Sequence, residues 1–144
     1  MDAPALTEGD DREGREEQLK ELSSLELAIM GVVWDLAECS SAEVIERFSA
    51  RRRLAATTIR TVLAAIEKKG YLERVPTTQR SLRFRPRVSR AAVAGRYLRK
   101  LVRALFGGSA GEAVVCLLRE GDLAPADLDE ILRLLEARRD RQLP

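Results

Sequence analysis

Residues 56–86 read ATTIRTVLAAIEKKGYLERVPTTQRSLRFRP, and the spacing of their apolar residues changes period halfway along. Ile59, Val62, Leu63 and Ile66 lie three, four and seven apart, which is one inner helical face. Lys68-Lys69-Gly70 closes that helix, because lysine suits the negative end of the helix dipole and glycine suits the position just past it. Tyr71-Leu72-Glu73-Arg74-Val75 then alternates like a strand, and Pro76-Thr77-Thr78-Gln79-Arg80 reads as a turn. Leu82-Arg83-Phe84-Arg85 alternates again before Pro86 stops it. The expectation is a helix over about 56–69 followed by a two-stranded hairpin over about 71–86. Such a hairpin is marginal alone, so it must pack on helices, with Leu82 and Phe84 turned inward and Arg83 and Arg85 outward.

Upstream, Ser23 and Glu26 are spaced as a capping box and open an apolar run from Leu25 through Leu36 at helical spacing. Ser40 and Glu43 repeat the device for a second helix that turns Val44, Ile45 and Phe48 inward. Arg51-Arg52-Arg53 then forms a loop too basic to bury. Three helices and a hairpin in this order make a winged helix-turn-helix, whose third helix enters the major groove while the hairpin touches the flanking backbone. The fold class expected is mainly α with a small β-hairpin wing.

Downstream, the helical period returns from Ser89 to about Phe106 and breaks at Gly107-Gly108-Ser109-Ala110-Gly111. Two more helices are expected, over about 112–119 and 125–138. Their apolar residues, with those of the helix before them, are Leu98, Leu101, Leu105, Val114, Leu117, Leu118, Leu128, Ile131, Leu132 and Leu135. Three helices in about 50 residues make a thin core, so the economical solution is burial against a second copy. The organisation expected is a disordered acidic extension over 1–21, a DNA-binding domain over 22–87, a helical dimerisation domain over 88–138 and a flexible tail over 139–144.

Charge sharpens the reading. Residues 47–100 hold sixteen Lys and Arg against two acidic residues, Glu67 and Glu73, in a chain of net charge +2. A basic block of this kind attracts polyanions by releasing their counterions. Once the third helix has buried its inner face, Thr57, Thr58, Arg60 and Thr61 are left over at its N-terminal end. Arg60 can donate two hydrogen bonds to a guanine edge, and threonine can meet bases, phosphates or the thymine methyl. Arg53, Arg80 and Arg83 are candidates for phosphate. Aromatic residues are too sparse for a single-strand stacking platform, so duplex DNA is the favoured partner.

Other classes find little support. The chain has no histidine and only two cysteines, Cys39 and Cys116, so a metal site, a cofactor or a Ser–His or Cys–His catalytic pair is not expected. The N-terminus lacks the features of a signal peptide and no apolar run is long enough for a bilayer, which points to the cytoplasm without membrane insertion. The competing reading is a protein-interaction adaptor that uses the same basic face to bind an acidic partner.

The quoted stretches resemble the penicillinase-repressor family of bacterial regulators, the BlaI/MecI/CopY type. The similarity runs through Leu25-Glu26-Leu27-Ala28-Ile29-Met30 to Val33-Trp34, Thr58-Ile59-Arg60-Thr61-Val62-Leu63 and Lys68-Lys69-Gly70-Tyr71-Leu72. It continues in Arg80, Phe84-Arg85-Pro86, Val88-Ser89-Arg90 and Phe106-Gly107-Gly108-Ser109. The resemblance implies a homodimeric transcriptional repressor acting on a palindromic operator. It also implies, for the antibiotic-resistance branch, a membrane sensor protease that triggers cleavage in the C-terminal domain. The matching place is Cys116-Leu117, where that branch carries Asn–Phe. The cysteine-rich motif of the copper branch is not present, and Ala55-Ala56 stands where the family often has Ser-Pro.

Overall fold

In the computed structural model, which describes residues 19–142, Ser23 caps the first helix, α1, Ser24–Leu36. The Ser23 hydroxyl accepts from the Glu26 N–H at 3.2 Å, and the Glu26 carboxylate accepts from the Ser23 N–H at 2.8 Å. Both halves of the capping box read from the sequence are made. Ala37 ends α1 at a φ of 66°, a value that a Cβ disfavours, and turns the chain sharply into a short strand, β1, Cys39–Ser40. The second capping box, Ser40 with Glu43, opens α2, Ser41–Ser49. The third helix, α3, covers Ala56–Lys68, and Ala55 at its start supplies no side-chain cap. Strands β2, Leu72–Val75, and β3, Arg83–Pro86, follow.

The wing is more than a two-stranded hairpin. The sheet has three antiparallel strands in the order β1-β3-β2, with Cys39 opposite Phe84 and Ser40 opposite Arg83. A two-residue strand has no periodicity to detect, so β1 left no signal in the sequence. Its pairing makes β3 a central strand tied to the cap of α2.

The core lies where α1, α2 and α3 meet the sheet. Ile29, Val33, Val44, Ile59, Ile66 and Tyr71 are all fully enclosed. Each large aliphatic side chain buried there contributes about 1.5–3 kcal/mol. Val62, expected inside, is half-buried at the edge of this cluster. Leu82 is a correction: it is 45% exposed, whereas Phe84 is buried as expected. The strand begins only at Arg83, so the alternation does not carry back to Leu82.

The N-terminal extension also departs from its expected reading at its last residues. Residues 1–18 lie outside the described residues, but 19–21 are held firmly. The Tyr71 hydroxyl donates to the Lys20 carbonyl at 2.6 Å, and the Lys69 ammonium donates to the Glu21 carbonyl at 3.0 Å. Arg96 donates to the Leu19 carbonyl at 3.3 Å and to the Tyr71 hydroxyl at 2.6 Å. The Leu22 N–H donates to the Tyr97 hydroxyl at 2.7 Å. Charge made this segment look disordered, but backbone carbonyls do the binding.

Helix α4 spans Arg90–Phe106, α5 Ala110–Glu120 and α6 Pro125–Gln142. The described chain divides into two units, one ending at Tyr97 and the other beginning at Leu98. The division falls within α4, later than the expected boundary near residue 87, because Val93 and Tyr97 pack on the core of the first unit. The expected flexible tail over 139–144 is helical as far as Gln142. Arg139 and Arg141 in the last turn complement the helix dipole.

Candidate nucleic-acid interface

Helix α3 separates its residues as the sequence indicates. Ile59, Leu63 and Ile66 are buried, while Thr57, Thr58, Arg60, Thr61 and Ala64 are exposed. Four polar side chains therefore stand on the first two turns of a helix whose opposite face is locked in the core. The Thr61 hydroxyl donates to the Thr57 carbonyl at 2.9 Å, which leaves its oxygen free to accept. No side chain caps the start of α3; the Thr58 N–H is given to the Ala55 carbonyl at 3.0 Å, and the Ala56 and Thr57 N–H groups stay open to an anion.

The basic block is partly neutralised in space by acidic residues distant in sequence. Arg83 pairs with Glu38 at 3.2 Å and with Glu43 at 3.5 Å, and only a quarter of its side chain is exposed. Arg83, expected to face outward, is three-quarters covered and bridges the wing to the capping box of α2. Arg74 pairs with Glu67 at 2.8 Å, and Glu73 holds both Arg85 and Arg87. Arg90 pairs with Asp35 at 2.6 Å and stacks over Trp34. The hydrogen bond from Arg90 holds the Asp35 carboxyl below its ordinary range, against a smaller opposing effect of burial.

Arg60, Arg80 and Arg51-Arg52-Arg53 have no ion-pair partner among the described residues and are exposed. Arg60 and Arg80 line one cleft between α3 and the wing loop. Arg53 sits in the turn before α3, where Arg51 and Arg52 both donate their N–H groups to the Phe48 carbonyl. Exposed cations without an ion pair thus stand on α3, before it and on the wing loop, and also elsewhere, as with Arg47 on α2 and Arg99 on α4. The first three places are those that a winged helix turns toward duplex DNA.

A model of the penicillinase repressor family matches residues 22–137. The chain belongs to this family. It is accordingly a winged-helix, DNA-binding transcriptional repressor by class. The methicillin resistance regulatory protein MecI of Mammaliicoccus sciuri is 22% identical over 115 residues, covering 80% of this chain and 93% of that protein. The penicillinase repressor of Bacillus licheniformis is 22% identical over 125 residues, 87% of this chain and 97% of its own. The solution structure of monomeric B. licheniformis BlaI with the blaP half-operator aligns at 27% identity and a TM-score of 0.46. It covers 52% of this chain and 90% of that one.

In this repressor the residues expected at a dimer interface carry little cover. Leu98, Leu101, Leu105, Val114, Leu117, Leu118, Leu128, Leu132 and Leu135 are each more than 40% exposed, and Ile131 is half-buried. Leu134 and Val115, outside that set, are equally bare. The Cys116-Leu117 bond, matched to the family's cleavage place, lies inside α5 with helical backbone on both sides. Cys39 is fully buried in β1, and burial, with the Glu43 carboxylate adding to it, pushes its thiol up to about 11. No single helix among the described residues is long and apolar enough to cross a membrane.

The Arg83 partners, Glu38 and Glu43, were missed by sequence reasoning. Glu43 reads in the sequence as one half of a capping box, and Glu38 falls outside every element read there. The signal available was their net negative stretch, 23–46, which sums to −5 against the basic block.

Proposed function

We propose that this chain is a homodimeric repressor that reads a palindromic operator. Helix α3 enters the major groove, where Arg60 donates to a guanine edge and Thr57, Thr58 and Thr61 meet bases and phosphates. Arg53 and Arg80 bind flanking phosphates. Arg83 sets the wing against α2 instead of contacting DNA. The exposed apolar stripes of α4, α5 and α6 close on a second copy and present two copies of α3 to two half-sites.

The observation that carries this reading is the leftover face of α3. Thr57, Thr58, Arg60 and Thr61 are exposed on a helix anchored by three buried residues, and unpaired arginines flank them. An adaptor for an acidic protein could use the same charge, but it would have no need of this polar set on an N-terminal helical face. If a sensor protease acts at Cys116-Leu117, it must first unwind α5.

The test is binding to duplex DNA from the chain's own upstream region against a scrambled duplex, across a salt series. A preference of ~10³-fold or more at physiological salt supports the reading. Equal affinities that collapse together as salt rises would leave only a polyanion-attracting surface. Sedimentation in the same buffer should report a dimer.

A further inference from the structure

Arg60 and Arg80 come from different elements yet face one cleft of about 330 Å³. Ser41 and Ser81 add hydroxyls to its lining, and Leu63, Leu82 and Phe84 give it an apolar wall. No carboxylate among the described residues lines it. The neighbouring wing cations are engaged, Arg74 by Glu67, Arg83 by Glu38 and Glu43, and Arg85 by Glu73. Two arginines thus line one recess with no carboxylate beside them among the described residues.

Ser41 is the more telling group. The residue is only 8% exposed, and its N–H is already given to the Leu82 carbonyl at 3.0 Å. Its hydroxyl has no partner among the described residues and lines the cleft. The hydroxyl oxygen is open to the cleft and is free to bond a group that enters it. The exposed Leu82, unexplained as a wing residue, becomes intelligible as part of the same wall.

We propose that this cleft is an anion site for a phosphate or carboxylate carried on a small apolar or ring body. The two guanidiniums supply charge-assisted hydrogen bonds from opposite elements. The serine hydroxyls complete the polar shell, and the apolar wall covers the body of the ligand. Sites for small molecules span about 300–1,000 Å³, so this one holds a single ring with its acidic group and nothing larger. The inference rests on the proposed DNA reading in one respect. Arg60 and Arg80 serve both ligands, so a free anion in the cleft and operator DNA exclude each other. A sugar-phosphate of the operator itself is the second source of the same chemistry.

The experiment titrates the full chain with phenyl phosphate and with inorganic phosphate at fixed ionic strength, following backbone amide signals, and measures operator binding in parallel. For a free anion, shifts saturate at Ser41, Arg60, Ser81 and Leu82, and phenyl phosphate binds about tenfold tighter than phosphate. Arg80→Met abolishes that saturation, and phenyl phosphate displaces the operator. If the operator supplies the ligand, phenyl phosphate saturates nothing, but Ser41→Ala and Arg80→Met both weaken operator binding. Replacing one backbone phosphate by a neutral methylphosphonate then erases their effect. Shifts spread evenly over the basic block, together with unaltered operator binding by Ser41→Ala, overturn the site while leaving the DNA reading intact. Saturation by phenyl phosphate in a protein that binds no operator overturns the DNA reading while leaving the site intact.

Discussion

Replacing Lys69 by Met should destabilise the first unit through the carboxylate it leaves behind. The Glu26 residue is 7% exposed, and its Oε1 accepts from the Lys69 ammonium at 2.6 Å and from the Ser23 N–H at 2.8 Å. Its other oxygen, Oε2, is buried with no partner among the described residues. Burial acts to raise the Glu26 pKa, but the Lys69 hydrogen bond and charge and the two Ser23 hydrogen bonds outweigh it, so the net shift is downward. In the wild type, Glu26 therefore contributes stability that is present above the ordinary carboxylate pKa and lost as pH falls through its lowered value. Without Lys69 only the two Ser23 hydrogen bonds oppose burial, so the pKa rises from its wild-type value, and the penalty is largest at neutral pH and fades in acid. Breaking a fully buried pair costs about 3–5 kcal/mol; the Lys69 end is a quarter exposed, so about 2 kcal/mol is expected here. Thermal unfolding followed by fluorescence of Trp34, the sole tryptophan, reports this unit, and the midpoint should fall by about 8–16 °C at pH 7. The double variant Glu26→Gln with Lys69→Met should recover most of the loss. A loss in Lys69→Met that is under about 0.5 kcal/mol and unchanged between pH 7 and pH 4 would refute the reasoning.

Four further outcomes separate the roles assigned above. Arg60→Ala should cost about 1–3 kcal/mol on the operator and relax preference at one base pair per half-site. Arg80→Ala should instead weaken all duplexes and lower the salt slope by about one, while Arg83→Ala should leave that slope unchanged and cost about 1 kcal/mol of stability. Leu101→Asp with Leu132→Asp should convert the dimer to a monomer in sedimentation while circular dichroism stays helical, because both side chains are exposed within the single chain. A thiol reagent at pH 7.5 should label Cys116 in the native protein and reach Cys39 only on unfolding, as counted by mass spectrometry, since Cys39 is enclosed and its thiolate is disfavoured.

Local rules carried most of the fold. Both capping boxes, the inner face of α3 and the change of period after Gly70 are short-range signals, and the chain obeys them because its propensities and its packing agree. What escaped was long-range. Strand β1 is two residues long and exists only because β3 lies beside it. Residues 19–21 are held through backbone carbonyls, which every residue has, so their charged side chains misled. The site shows the same division. The exposure of Thr57, Thr58, Arg60 and Thr61 follows from helical geometry alone, whereas the fate of each wing arginine depends on which carboxylate folds against it. Arg83 and Arg80 are three residues apart and look equivalent in sequence; Glu38 and Glu43 capture the first and leave the second free.

The most direct measurement is selection of duplexes from a random-sequence library by the full chain at physiological salt. Two copies of α3 on a two-fold dimer should enrich a dyad-symmetric site with half-sites about one helical turn, or a multiple of it, apart, and Arg60→Ala should blur one position in each half. Recovery of unbiased sequence, with binding that follows salt alone, would contradict the assignment of α3 as the reading element.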